Sequence, residues 1–204
     1  MSLSSIEAPE ILDFHPRLDT FREDFLNGLR QRPRHLYPKY FYDAEGSRLF
    51  DRICDLEEYF PTRTEMRILE ENLTEIRDAI GPRRRIVEFG SGSGRKTRKL
   101  LESLVSPSAY LPVEISKDCL REAATELMAR FPEVEILPVC ADYTDEFDLP
   151  SGESEYKGTT IFFPGSTIGN FEPRDAIAFL NQARIICGED CSLLIGVGLQ
   201  TDPE

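Results

Sequence analysis

An α/β fold, a parallel sheet with flanking helices preceded by a helical N-terminal segment, is what this 204-residue sequence predicts, on three observations. Up to about residue 80 the apolar residues recur at helical spacing between aromatic loops, and from Arg85 short apolar runs alternate with amphipathic stretches. The first run, Arg85-Ile-Val-Glu-Phe89, leads directly into Gly90-Ser-Gly-Ser-Gly94 and a basic helix. Strand, glycine turn and helix in that order are the opening unit of a doubly wound sheet that holds a ligand at its strand ends.

The elements follow in order. Residues 1 to about 17 are expected as an extended lead. Leu18, Phe21, Phe25, Leu26 and Leu29 share one helical face, and Arg32-Pro-Arg-His-Leu-Tyr-Pro38 ends that helix. A second helical patch carries Leu49, Phe50 and Ile53. Thr62-Arg-Thr-Glu65 has capping-box spacing and opens a helix bearing Met66, Leu69, Leu73, Ile76 and Ile80, stopped by Gly81-Pro82. Strands are then expected near 85–89, 109–113, 134–139, 159–163 and 192–197, with helices near 94–105, 117–130 and 173–187. Ser116 is placed to cap the second of these helices, Pro173 suits the first turn of the third, and 142–158 reads as a long acidic loop. Two units result: a helical segment over 1–80 and a sheet domain over 81–204.

Gly90, Gly92 and Gly94 lack a Cβ, so main chain can approach a bound molecule there. The helix behind them points unpaired amides and its positive dipole end at the turn, which favours a carboxylate, phosphate or hydroxyl oxygens. Arg95, Lys96, Arg98 and Lys99 oppose that dipole and are better tolerated beside an anion. A nucleotide-hydrolase phosphate loop is disfavoured because Arg95 stands where glycine would precede Lys-Thr.

In a parallel sheet ligands gather at the carboxyl ends of the strands. Glu114, ending the second strand, is placed to bind two ribose hydroxyls, and its bland alternative is a helix N-terminal carboxylate. Asp142 can accept from an adenine amino group, with Tyr143 beside it, or simply cap a loop. Asp142 and the glycine spacing suit S-adenosylmethionine better than a nicotinamide cofactor, yet a nicotinamide oxidoreductase shares the same cradle and also uses an acidic ribose ligand such as Glu114.

Composition narrows the partners. Lys plus Arg number 24 against 37 Asp plus Glu, a formal charge of -13, which as a whole repels nucleic acid and anionic membrane. The five cysteines, an odd number without a Cys-x-x-Cys pair, argue against a disulfide framework and for a reducing cytoplasm. His15 and His35 are far in sequence from Cys187 and Cys191, so no metal site is expected. Neither a signal-like start nor a bilayer-length apolar run is visible, and a soluble protein is expected.

Four motifs in register carry a resemblance: Tyr42-Asp-Ala-Glu-Gly-Ser-Arg-Leu-Phe50, Glu58-Tyr-Phe-Pro-Thr-Arg-Thr-Glu65, Val87-Glu-Phe-Gly-Ser-Gly-Ser-Gly-Arg-Lys-Thr97 and Pro164-Gly-Ser-Thr-Ile-Gly-Asn170. Together they resemble the histidine-specific N-alpha-methyltransferases, the S-adenosylmethionine-dependent family that includes the ergothioneine-biosynthesis enzyme. The resemblance implies a Rossmann-like class I methyltransferase domain plus a substrate domain to which residues 1–80 belong. The family's last two strands, and the groups that read the substrate side chain, are absent from these 204 residues. The sequence therefore reads as a fragment of a longer enzyme or as a truncated relative.

By the same resemblance Gly90 and Lys96 contact the methionine part of the cofactor, with Gly92 in the same turn. Glu114, where the family usually has Asp, contacts the ribose, and Asp142 with Tyr143 the adenine. Tyr42, Tyr59 and Asn170 match positions facing a small amino-acid substrate, Tyr42 orienting the amine. Methyl transfer from a sulfonium to a neutral amine is a matter of in-line positioning. Without the resemblance, Tyr42 and Tyr59 read as aromatic packing and Asn170 as a helix cap. The rival readings are a nicotinamide oxidoreductase and a non-catalytic cofactor-binding or regulatory fragment; a nucleic-acid methyltransferase is opposed by the acidic charge.

Overall fold

The computed structural model describes residues 8–16, 21–41, 43–92 and 94–199. A two-residue strand β1 (Leu12–Asp13) is followed by α1 (Phe21–Arg30), a 3-10 turn at Pro38–Phe41, α2 (Ala44–Cys54) and the long α3 (Pro61–Ile80). Strand and helix then alternate: β2 (Arg85–Phe89), α4 (Arg95–Ser103), β3 (Ala109–Glu114), α5 (Lys117–Arg130), β4 (Glu135–Ile136), β5 (Val139–Cys140), β6 (Thr159–Phe163), α6 (Pro173–Cys187) and β7 (Cys191–Ile195). Every pairing is parallel, in the order β1-β5-β3-β2-β6-β7, with β4 beside β3.

Alternation along β2 shows how the sheet is covered. Val87 and Phe89 point into a core shared with Leu111, Val113, Ile161, Phe163 and the α6 residues Phe179, Ala183 and Cys187. Ile86 points the other way, into a core with Leu100 and Leu101 of α4, Tyr110, and Leu127 of α5, against which Ile76 and Ile80 of α3 also pack. Helices therefore lie on both faces. The chain leaves β2 through α4 on one face and β6 through α6 on the other, so the sheet's switch point falls between these adjacent strands.

Three expected features differ. The strand expected over 134–139 is two short strands, broken at Leu137-Pro138. Pro112 faces that break: Tyr110 and Glu114, of the same parity on β3, accept from the amides of Leu137 and Ala141, and between them proline has no N–H to offer. The lead is not merely extended, since β1 adds to the sheet beside β5, with Leu12 opposite Val139. This extra strand and the broken one bring the strand count among the described residues to seven. The capping box does not form. Pro61 occupies the first helical turn behind the cap residue Phe60, Thr62 donates to Cys54 Sγ at 3.3 Å, and Glu65 is drawn elsewhere.

Ser116 is the N-cap residue of α5 by backbone position, but its side chain makes no capping bond. The helix expected around Leu18–Leu29 is α1, with Leu18 outside the described residues and Phe21, Phe25, Leu26 and Leu29 exposed. Among the described residues no helix is long and apolar enough to cross a membrane.

Candidate functional site

The carboxyl ends of β5, β3, β2 and β6 lie side by side, and the four segments leaving them carry Asp142, Glu114, the glycine turn and Pro164–Asn170. Gly90, Gly92 and Gly94 all have positive φ, at 75°, 49° and 64°, angles that side chains resist. Gly94 begins α4 with no side-chain cap. Ser91, inside the turn, is 7% exposed, and its Oγ is buried without a hydrogen-bond partner among the described residues. An uncapped helix start beside an orphaned hydroxyl suits a ligand that brings oxygens of its own.

Glu114 closes one side of this turn. Its carboxylate accepts from the amides of Ile115 at 2.8 Å, Ser116 at 3.4 Å and Gly92 at 3.5 Å. Burial raises its pKa, and those three amides counter the shift. Asp142, 7% exposed, accepts on Oδ1 from Thr144 through both N–H, at 3.0 Å, and hydroxyl, at 2.6 Å. The loop-capping role is therefore real for that oxygen. Tyr143 packs edge-on to Phe89 and Phe179, and its Cε1 stands 3.7 Å from where a side chain on Gly90 would begin.

Tyr59 is half-buried and makes a T-shaped contact with Phe50 at 6.0 Å. Desolvation first, then the nearby Cys54 and Glu65, hold its phenol above the ordinary value. Asn170 ends a 3-10 turn, Thr167–Asn170, and is exposed. It does not cap α6, whose N-cap position is Glu172 followed by Pro173. Tyr42 lies outside the described residues.

The basic start of α4 meets anions supplied by the protein itself. Arg95 pairs with Asp55 at 3.1 Å, Arg98 with Glu126 at 3.2 Å, Lys99 with Glu70 at 3.0 Å and Lys96 with Glu65. The anions that these four cations meet are carboxylates of the protein, on or beside α2, α3 and α5. Two grooves of about 470 and 300 Å3 run along this charged surface, lined by residues such as Met66, Arg95 and Arg130, with none of the strand-end groups among them.

Two acidic residues escaped the sequence reading. Glu88, on β2 directly before Phe89-Gly90, is 2% exposed and accepts from the hydroxyls of Thr97 and of Tyr110. Burial pushes its pKa up to about 7, against the opposing pull of those two hydroxyls. An acidic residue inside an otherwise apolar strand was the available signal. Glu65 stands at capping-box spacing from Thr62, but its carboxylate accepts instead from Lys96 Nζ and from the amide of Gly165, 100 residues away, at 2.8 Å. No local spacing signals that contact.

A doubly wound parallel sheet with a glycine turn and an acidic second-strand end at its switch point defines a Rossmann-like α/β domain of the methyltransferase type. The structure of the plantazolicin methyltransferase BpumL in complex with SAH superposes with a TM-score of 0.52 at 16% identity, covering 87% of this chain and 60% of that one. The family model for "Histidine-specific methyltransferase, SAM-dependent" matches residues 21–204. The histidine N-alpha-methyltransferase of Mycolicibacterium smegmatis is 38% identical over 188 residues, 90% of this chain and 57% of that protein. Ergothioneine biosynthesis protein 1 of Neurospora crassa is 34% identical over 175 residues, 84% of this chain and 20% of that protein. The chain belongs to the histidine-specific, S-adenosylmethionine-dependent methyltransferase family. It spans 57% of the length of its mycobacterial relative. A nicotinamide cofactor is not favoured, because the family is S-adenosylmethionine-dependent.

Proposed function

We propose that the protein to which these residues belong transfers a methyl group from S-adenosylmethionine to the α-amino group of an amino acid, histidine or a close relative. The reading rests on family membership and on one structural observation, the adjacency at the switch point of the glycine turn, Glu114, Asp142 and the loop ending in Asn170. Residues 81–204 are assigned to the cofactor domain and 1–80 to part of the substrate domain. A cytoplasmic enzyme fits the free thiols of all five cysteines.

In this scheme the bound cofactor supplies an electrophilic methyl on sulfonium sulfur. Gly90 and Gly92 admit it close to main chain, Lys96 faces its carboxylate, Glu114 takes the ribose hydroxyls, and Asp142 with Tyr143 takes the adenine. Glu114 carries this out with little rearrangement, being held by three backbone amides. Tyr59 and Asn170 hold the amino acid and Tyr42 orients its neutral amine. Rate enhancement then comes from alignment rather than from a strong base.

Titration calorimetry with S-adenosylmethionine on the full-length enzyme tests the cofactor assignment. Glu114→Ala and Asp142→Ala should each weaken binding; unchanged affinity in both removes it. Methylation of free amino acids, histidine first, tests the substrate; cofactor binding without transfer to any of them favours a regulatory domain.

A further inference from the structure

Glu65 stands where three parts of the site meet. Its own helix, α3, begins at Pro61, two residues beyond Tyr59. One partner, Lys96, lies in the first turn of α4, directly behind the glycine turn. The other, the amide of Gly165, opens the loop that ends in Asn170 and lies 2.8 Å from Oε1 and 3.0 Å from Oε2. The contact is partly enclosed, with the Glu65 side chain 24% and that of Lys96 15% exposed.

The chain beyond β7 is fitted to the same carboxylate. A Cβ added to Gly196 would lie 1.8 Å from Glu65 Oε1 and 3.3 Å from the Gly165 amide, so only glycine leaves room for this contact. Gly196 N–H is itself bonded to Phe163 O at 3.0 Å, and Gly198 N–H to Ser166 Oγ at 2.7 Å, which ties this segment to the same loop.

We infer that Glu65 is a positioning residue that couples the two halves of the site: by holding Lys96 and the Gly165 amide together it transmits occupancy of the cofactor turn to the surfaces bearing Tyr59 and Asn170. This rests on the methyltransferase reading above, in which Lys96 serves the cofactor and Tyr59 and Asn170 serve the amino acid. A carboxylate arriving on the cofactor shares the Lys96 ammonium with Glu65. The pull on Glu65 then changes, and both α3 and the Gly165 loop respond, because the carboxylate carried by α3 binds Lys96 and the Gly165 amide through the same two oxygens. Coupling of this kind is reciprocal and is read as a ratio of affinities.

The test measures histidine affinity of the full-length enzyme by calorimetry, without and with saturating S-adenosylhomocysteine. Wild type is expected to show a difference of roughly fivefold or more. Glu65→Gln keeps an acceptor for Gly165 but cannot accept from Lys96 through its amide nitrogen, and the ratio should fall towards one while each ligand still binds alone. Gly196→Ala displaces the carboxylate without altering charge and should do the same, so the inference remains testable if one variant folds poorly. A purely structural role would lower the melting temperature and both affinities yet leave the ratio intact. A wild-type ratio in either folded variant, or a ratio of one in the wild type, overturns the coupling. A wild-type enzyme that binds no S-adenosylhomocysteine overturns the functional reading, and the coupling with it.

Discussion

The Tyr110 hydroxyl on β3 donates to the Glu88 carboxyl on β2 at 2.5 Å, and Thr97 of α4 donates to the same oxygen. Strand, neighbouring strand and covering helix thus meet on one buried acid immediately beneath the glycine turn. The pKa of Glu88 rises from 4.5 to about 7 because burial disfavours the carboxylate. A folded-state pKa above the unfolded one means that the folded protein holds the extra proton. The stabilisation is complete below pH 4.5 and is lost as pH rises through 7, about 3 kcal/mol in all. Urea unfolding at pH 5 and pH 8 checks it: wild type should lose stability relative to Glu88→Gln over that interval, and a constant difference refutes it.

Glu114 meets the cofactor turn through the Gly92 amide, and in the proposed scheme its carboxylate is the ribose ligand. Hydrogen bonds to a charged group contribute about 1.5–3 kcal/mol each. Glu114→Gln should therefore weaken S-adenosylhomocysteine binding by at least about tenfold, measured by calorimetry. An affinity within twofold of wild type would take Glu114 out of the site.

The pairing of Lys99 with Glu70 predicts the opposite outcome. Both side chains are nearly half exposed, 47% and 45%, and exposed pairs contribute at most about 1 kcal/mol. Lys99→Ala should lower unfolding free energy by less than that and leave cofactor affinity unchanged. A large loss of affinity would mean that Lys99 joins Lys96 in serving the ligand.

Phe179 holds the other face of the site. It stacks on Phe171 at 5.3 Å and contacts Phe163 at 4.6 Å and Tyr143 at 5.5 Å, and it is 3% exposed. Phe179→Ala should cost about 3–5 kcal/mol of stability in denaturant unfolding. Because the same ring supports Tyr143, cofactor affinity should fall as well, in a variant still folded at low temperature.

Local pattern was enough for the elements that build the switch point. Arg85–Phe89 and Thr159–Phe163 form as strands where their apolar runs place them, and Lys117–Arg130 and Pro173–Cys187 form as helices at the expected bounds. In each case the signal lies within a few residues, as an apolar run, a helical period or a proline at a helix start. The glycine turn was legible for the same reason: glycines at every second position accept without strain the positive φ angles recorded at Gly90, Gly92 and Gly94.

What the sequence determined by itself, then, was the alternating layout, the cradle and the acidic groups that end its strands. Tertiary structure decided the rest, because each remaining feature depends on a partner far along the chain. Pro112 breaks a strand that begins more than twenty residues later, and Leu12–Asp13 becomes a strand because Val139–Cys140 offers it an edge. The cations of α4 find partners within the protein because α2, α3 and α5 bring carboxylates to them. Glu65 leaves its own helix start for Lys96 and Gly165 because the fold delivers an ammonium and an unpaired amide within its reach, and a carboxylate goes to the strongest donors that packing provides.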